Sequence, residues 1–322
     1  MQGPEEKFVS QLDWNLLRTF VVLVEEGSFT RAAHRLLRGQ SSVSLALQRL
    51  EAELNCRLIE RGRGSFRLTA AGSILYSECI DIYGGVSRLK DITTTATKEI
   101  SGEISIHLAS HVITPLLDRL LTQTNVMYPK VTFSIKTATS ATVTAAVHDR
   151  SASFGICLVN RPLPDLTYDV FYREFFGFYC GPPHDLFGQT GLTMQDLRNR
   201  DIVSFDTDDL NDALRPVALL RKQWDLMHRV VGRSSQLEEV RRMIQCGLGI
   251  GSLPIHVVER DVRDGLLWRL PPYKDPPEVD IFLVRNPKKN LNRAEQFFVD
   301  HLLALIRDIP IKQRTYLGAQ PA

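Results

Sequence analysis

The sequence predicts an α/β protein headed by a small all-α domain with a β-wing. Three patterns predict it. Apolar residues recur at helical spacing, broken by turn signals, over the first seventy residues; a heptad-like stretch follows; strand and helix patterns then alternate to the last helix at 293–307. A chain of 322 residues fits a small domain plus a larger one. Apolar content of 43% and charged content of 24% are those of an ordinary globular protein. The net charge of +2 says little about partners, so charge is read locally. The polar, acidic Met1–Lys7 segment does not read as a secretory signal, and the apolar run Phe20–Val24 is far too short to span a membrane. The expectation is a soluble, cytoplasmic protein with no membrane partner.

Cys56, Cys79, Cys157, Cys180 and Cys246 are odd in number and lack C-x-x-C spacing, which argues against a disulfide framework or a zinc cage. His107 and His111 are four apart, but Ile104–Ser110 alternates like a strand, and that spacing aligns ligands only on a helix. No metal and no cofactor is expected.

Trp14, Leu17, Phe20, Val21 and Val24 recur at helical spacing behind Asp13, a plausible N-cap, and Gly27 is placed to end the helix in a left-handed cap. Ser28 caps a second helix in which Ala32-Ala33 permits close crossing, and Gly39 is expected to stop it. A third helix begins near Gln40-Ser41, with Val43, Leu47, Leu50 and Leu54 on one face and Ser41, Ser44, Leu45 and Gln48 on the other. Helix, short Gly-bearing turn, then a helix with a small-polar outer face is the helix-turn-helix pattern. The free N–H groups of the second helix favour phosphate, and short side chains there reach base edges. Gln40 is the best base reader, since a Gln amide bonds an adenine edge twice. A solvated three-helix bundle is the competing reading.

The next segment weakens that competitor. Leu58–Thr69 reads as two short strands around a Gly-bearing turn, a wing carrying Arg61, Arg63 and Arg67. From Gly27 to Leu68, eight arginines stand against three glutamates, a local +5. Such a concentration is what phosphate neutralisation needs.

These residues carry a resemblance. Phe20-x8-Phe29-Thr-Arg-Ala-Ala33, Leu36, Gln40-Ser-Ser-Val-Ser44, Leu50-Glu51, Leu58, Arg61 and Leu68-Thr-Ala-Ala-Gly72 resemble the DNA-binding domain of LysR-type transcriptional regulators of bacteria. Departures are Leu54-Asn55-Cys56 before the wing, Ile59 in place of the usual wing Phe, and Leu45-Ala46 where relatives often carry Arg or Gln. They shift base readout onto Gln40, Ser41 and apolar contacts to thymine methyls. The resemblance implies a DNA surface made of Arg31, Gln40, Ser41, Ser42, Ser44, Leu45, Gln48, Arg61 and Arg63.

From Ala70 to Lys90, Leu75, Cys79, Ile82, Val86 and Leu89 form a heptad seam, interrupted in propensity by Gly84-Gly85. The competing reading is an amphipathic helix lying on its own domain. The resemblance implies a linker helix that dimerises the DNA-binding domains, so that a two-fold dimer reads double-stranded DNA as an interrupted inverted repeat. Thr93–Thr97 reads as a hinge.

Beyond it, strands are expected at Ile104–Leu108, Val131–Ile135, Phe154–Val159, Ile202–Phe205, Arg229–Val231 and Ile281–Val284. Helices are expected from Thr114-Pro115 to Leu121, from Thr139-Ser140 to His148, around Asn211–Trp224, at Leu237–Cys246 and at Arg293–Arg307. The alternation argues largely parallel sheets. Gly247-Leu-Gly249-Ile-Gly251 follows a helix rather than opening one, so it reads as a C-cap and tight turn, not a nucleotide loop. From Gly102 onward, and through Met243–Pro254, the chain resembles the LysR-type effector domain. That resemblance implies two α/β lobes like those of periplasmic solute-binding proteins, joined by crossings near Asp169–Arg173 and Lys274–Val279. The organisation expected is a DNA-binding domain at 1–69, a linker at 70–98 and an effector domain at 99–322. Lobe I then covers about 101–170 and 277–310, and lobe II about 171–276.

An effector should lie between the lobes, near strand ends and helix N-termini. Ser110, Thr139, Ser140, Ser204 and Phe205 are the candidates, and the first three sit at strand-to-helix junctions. Helix N-termini favour an anionic effector. The resemblance also implies tetramers and RNA polymerase as a partner. A thiol redox sensor on the same scaffold is the alternative; it needs an accessible, low-pKa cysteine, and the second lobe holds only Cys180 and Cys246, far apart in sequence. An enzyme is not expected, because no nucleophile elbow, metal-ligand motif or phosphate loop occurs. A solute-binding protein would not carry the N-terminal domain.

Overall fold

The computed structural model describes residues 12–62, 65–93, 100–208, 213–226 and 228–317. The chain divides into two compact units, Met1–Thr94 and Thr95–Ala322.

In the first unit, α1 (Trp14–Glu26), α2 (Phe29–Arg35) and α3 (Gln40–Glu53) pack around Leu17, Phe20, Leu23, Ala32, Val43 and Leu50, all buried. The caps explain the boundaries. Asp13 accepts from the Asn15 N–H, Gly27 closes α1 at φ 56°, and Ser28 accepts from the Arg31 N–H. One expectation is corrected: Gly39 does not stop α2. The helix is capped at Leu36, and Leu37 takes the left-handed conformation at φ 53°, while Gly39 is the N-cap of α3 in extended geometry. The strands β1 (Ile59–Gly62) and β2 (Ser65–Leu68) pair antiparallel, Ile59 opposite Leu68 and Glu60 opposite Arg67.

Helix α4 (Ala70–Thr93) runs through Gly84-Gly85 without a break. Its heptad seam does not act as one stripe. Cys79 is fully buried in the core of its own unit, with Leu75 and Ile82 packed against that core, whereas Val86 is exposed. The first half of the seam therefore serves intradomain packing, the competing reading of the pattern. Gly72 shows why the start of α4 is fixed, since a Cβ there would stand 2.1 Å from the Leu58 carbonyl oxygen. Beyond Thr93, the expected hinge lies outside the described residues.

The second unit is a ten-stranded mixed sheet with one core. Strands β3 (Gly102–Ala109), β4 (Val131–Ala138) and β5 (Phe154–Cys157) run parallel, alternating with α5 (Pro115–Met127) and α6 (Ser140–His148). A long strand, β6 (Thr167–Cys180), follows, and then β7 (Ile202–Phe205), α7 (Arg215–Gln223), β8 (Val230–Ser234), α8 (Leu237–Gln245) and β9 (Ile250–Pro254). After α9 (Glu259–Arg263) come β10 (Trp268–Leu270), β11 (Glu278–Arg285), α10 (Arg293–Asp308) and β12 (Thr315–Tyr316). The order across the sheet is β4-β3-β5-β11-β6-β9-β7-β8.

The sheets are not largely parallel, as the alternation suggested, but mixed: β11 is antiparallel to both β5 and β6, and β6 is antiparallel to β9 and β10. Sequence reading passed over β6 because it is neither alternating nor purely apolar. Its first half pairs with β11, its second with β9 and β10, and the change of partner falls between Phe175 and Phe176. A single strand thus belongs to both halves of the unit. Gly247, at φ 74° directly after the Cys246 C-cap, turns the chain from α8 into β9, and a Cβ on Gly249 would stand 2.4 Å from the Asp201 carbonyl oxygen. Those glycines are structural.

Candidate nucleic-acid interface and effector cleft

The outer face of α3 carries Gln40, Ser41, Ser42, Leu45 and Gln48, all exposed, and Ser44, half-buried. Unlike α1 and α2, α3 has no side-chain cap on its N-terminus. The N–H groups of its first residues, Gln40 and Ser41, stand at the positive end of the helix dipole, while that of Ser42 already donates to the Gly39 carbonyl. Ser41, Leu45 and Gln48 fall at i, i+4 and i+7, one stripe of a helix.

The arginines divide into two sets. Arg31 donates to the Glu26 carbonyl, and Arg35 lies 2.6 Å from Glu25 Oε2 and 3.1 Å from Glu26 Oε1. Both are tied to the end of α1. The sequence count began at Gly27 and so left out Glu25 and Glu26; with them, eight arginines face five glutamates and the local excess falls from +5 to +3. Arg38 and Arg49 stand exposed with no ion pair among the described residues, and sequence reading had counted but not singled them out. Their signal was spacing: Arg49 lies seven residues after Ser42, on the edge of the same face. Of the wing arginines, Arg61 is in β1, opposite Phe66, with its side chain not described, and Arg63 lies outside the described residues.

In the sequence Glu51 belongs to the family resemblance and subtracts from the basic charge, with no structural role assigned to it. It is buried, and its Oε1 accepts the N–H groups of Leu58 at 2.9 Å and Ile59 at 3.4 Å. It thereby fixes the base of the wing relative to α3. The Thr69 hydroxyl adds a bond to the Arg57 carbonyl, and Phe66 packs edge-on against Phe29 at 6.4 Å. Only the acidic residue after Leu50, on a helix otherwise short of acids, marked Glu51 in the sequence.

In the second unit, the expected effector residues cluster at one edge of the sheet, where strands of both halves end. Ser110 follows β3 and is half-buried, and Thr139 and Ser140 follow the neighbouring β4. The Ser110 hydroxyl donates to the Ser235 carbonyl at 2.8 Å and accepts from the Leu237 N–H at 3.1 Å, so it bridges to the start of α8. Thr139 caps α6 through the Thr142 N–H, and Ser140 is buried at its first turn. Phe205, which pairs with Ser234, packs edge-on against His111 at 6.4 Å. Ser204 lies deeper. It is buried, and its hydroxyl reaches the Phe205 carbonyl (3.0 Å) and Asp208 Oδ2 (3.3 Å). Asp208 also accepts from Ser252 and is paired at 3.0 Å with the buried Arg221 guanidinium. The structure thus brings Ser110 and the buried Phe205 together where the two halves meet, sets Thr139 and Ser140 beside them, and commits Ser204 to an internal network.

Against Phe205 lies a buried cluster that sequence reading missed. Glu174 on β6 is completely buried, with its Oε1 3.8 Å from His111 Nε2 and its Oε2 3.9 Å from His256 Nδ1. Neither carboxyl oxygen has a hydrogen-bond partner, and the same holds for the two ring nitrogens and the Tyr172 hydroxyl. His256 Nε2 lies 3.0 Å from the Ile113 carbonyl oxygen. Burial raises the Glu174 carboxyl well above the usual carboxylate range. Burial, aided by His256, pushes His111 down to about 4, and burial also lowers His256. No sequence motif joins these residues; only the fold does.

The family model described as a bacterial regulatory helix-turn-helix protein of the lysR family matches residues 14–73, and the LysR substrate binding domain matches 97–307. The chain belongs to the LysR family of transcriptional regulators. It is a DNA-binding regulator with an effector-binding domain. Among similar proteins, the HTH-type transcriptional activator BauR of Pseudomonas aeruginosa is 26% identical over 305 residues, 93% of this chain and 97% of BauR. The regulator CfxR of Cupriavidus necator is 24% identical, covering 92% of each chain. A full-length OxyR variant from Pseudomonas aeruginosa has the same fold, with a TM-score of 0.64 at 18% identity over 97% of this chain and 99% of that one. The LysR family regulator CbnR matches with a TM-score of 0.63 at 19% identity over 91% of this chain and 99% of its own, and it has also been solved with its target DNA. These relatives are regulators rather than enzymes. No helix among the described residues is long and apolar enough to cross a membrane.

Proposed function

We propose that this LysR-family regulator reads an interrupted inverted repeat through Gln40, Ser41, Ser42, Ser44, Leu45 and Gln48 in the major groove. Arg31, Arg61 and Arg63 hold the phosphates in this reading. The observation that carries it is the uncapped N-terminus of α3 with Gln40 and Ser41 exposed beside it. Gln40 bonds an adenine edge, and Leu45 meets a thymine methyl. Arg31 is the weakest member, since Glu26 already holds it, and Arg38 and Arg49 are added as phosphate contacts. Two copies associate through α4, where Ile74 and Val86 remain exposed for a partner helix, and dimers pair into tetramers that work with RNA polymerase in the cytoplasm.

The DNA-binding domain takes 1–69, the linker 70–98 and the effector domain 99–322. Within it, lobe I takes about 101–170 and 277–310, and lobe II about 171–276. The effector binds between the lobes at Ser110, Thr139, Ser140 and Phe205, with Ser204 supporting Phe205 from behind. The helix N-termini of α5 and α6 next to these residues favour a carboxylate-bearing effector. It acts by population shift: it binds one arrangement of the lobes better and so changes the spacing of the DNA-binding heads.

The test is selection of duplexes from a random pool by the purified protein. Enrichment of an interrupted inverted repeat with half-sites about one or more helical turns apart is the expected outcome. A pool that stays random after repeated rounds contradicts the reading.

A further inference from the structure

We propose that His111, Glu174 and His256 bind a proton as a second signal, and that this proton holds the two halves of the effector domain together. The three residues come from three places. His111 follows β3 in one half, His256 follows β9 in the other, and Glu174 lies on β6 just before that strand changes partners.

The hydrogen-bond pattern fixes the protonation. The Ile113 carbonyl can only accept, so His256 must donate from Nε2 at 3.0 Å. In a neutral ring its Nδ1 is then a lone pair, and that lone pair faces Glu174 Oε2 at 3.9 Å. An ionised Glu174 would set a negative charge against it, in a fully buried place. The arrangement is consistent when the group carries one proton and that proton sits on the Glu174 carboxyl, facing the His256 lone pair. The titratable groups facing Glu174 and its imidazoles are Tyr172 on the same strand, Tyr316 stacked on His256 at 5.1 Å, and Glu259 at the start of α9. None of them brings a positive charge. The neighbouring Arg173 points to the other face of β6, where it pairs with Asp280 at 2.6 Å. With no cation among these neighbours to neutralise the carboxylate, the proton must do so.

The sign follows by counting protons. In water the carboxyl loses its proton near about 4.3 and each imidazole near about 6.5. In the closed cluster the carboxyl keeps its proton to a higher pH and the imidazoles lose theirs at a lower one. Below about 6.5 the hydrated groups hold more protons than the closed cluster, so closure weakens as pH falls. Between about 6.5 and the raised value of Glu174, the closed cluster holds one proton that the opened groups release. Closure then weakens as pH rises, by up to about tenfold per pH unit. Closure is therefore greatest near neutral pH, and an alkaline shift opens the cleft in the absence of effector.

The Leu237 amide reports the opening directly, because its bond to Ser110 crosses between the halves. Its hydrogen-exchange protection, corrected for the intrinsic pH dependence of exchange, is measured in the full-length protein between about pH 6.5 and 9. The wild type should lose protection by up to about tenfold per unit, and Glu174→Gln, which stays neutral, should hold it constant. Constant protection in the wild type, or the same decline in both proteins, overturns the proposal. Should Glu174→Gln fail to fold, the carboxyl carbon resonance of Glu174 in the wild type decides. A transition above neutral pH supports the proposal, and an ordinary one near about 4.3 overturns it.

Discussion

The Ser110 hydroxyl donates to the Ser235 carbonyl and accepts from the Leu237 N–H, so one side chain after β3 occupies the N-terminus of α8 in the other half of the domain. Ser110→Ala leaves the Leu237 N–H without that acceptor and should cost about 1–3 kcal/mol of the closed arrangement. Urea unfolding of the full-length protein would show it. Stability unchanged from the wild type would mean the halves close without this bond.

Glu51→Ala should free the base of the wing, since it orphans two buried N–H groups at once. A loss of about 1–3 kcal/mol in the N-terminal unit is expected, with Glu51→Gln, which keeps an acceptor oxygen, milder. Thermal unfolding followed on both variants checks the order; equal stability of the two would contradict the clamp.

The buried pair Arg221–Asp208 should be costly to break from one side. Arg221→Met leaves a carboxylate that is buried among Ser204 and Ser252, and about 3–5 kcal/mol of destabilisation is expected. Removing both partners together should cost less than Arg221→Met alone, which a double-mutant cycle would read.

Acid should act through His111. Its ring is neutral when buried and titrates at about 4 rather than near 6.5, so the stability it contributes is present above 6.5 and is lost as pH falls toward 4. His111→Phe removes the titrating ring, and its unfolding free energy should decline less steeply over that window than that of the wild type.

These expectations also show what the sequence could and could not convey. The helix-turn-helix was legible because its signals are local: Asp13, Gly27 and Ser28 mark helix ends within a few residues of the structure they control. The end of α2 was misjudged for a local reason as well, since Leu37, not Gly39, adopts the left-handed turn. Cys79 fitted a heptad and an intradomain core equally well, and only packing separates them. Long-range features were hidden. Strand β6 exchanges partners between Phe175 and Phe176, which no periodicity encodes, and Glu174 meets His111 and His256 across 63 and 82 residues of chain.

Thiol chemistry separates the effector reading from the redox alternative. Cys180 is buried with its thiol pushed up to about 12 by burial, Cys157 likewise, and only Cys246 of the effector domain is exposed. A native-state thiol assay should therefore find Cys246 reactive and Cys157 and Cys180 protected. Rapid oxidation of Cys180 by peroxide, with altered DNA affinity, would favour the alternative.

The most direct test of DNA reading by α3 is the affinity of the wild type and Gln40→Ala for a selected duplex and a scrambled one, across a salt series. The account predicts a steep fall with salt for both proteins, and for Gln40→Ala a loss of about 1–3 kcal/mol on the selected duplex alone. Equal loss on both duplexes, or none on either, would contradict base reading by Gln40.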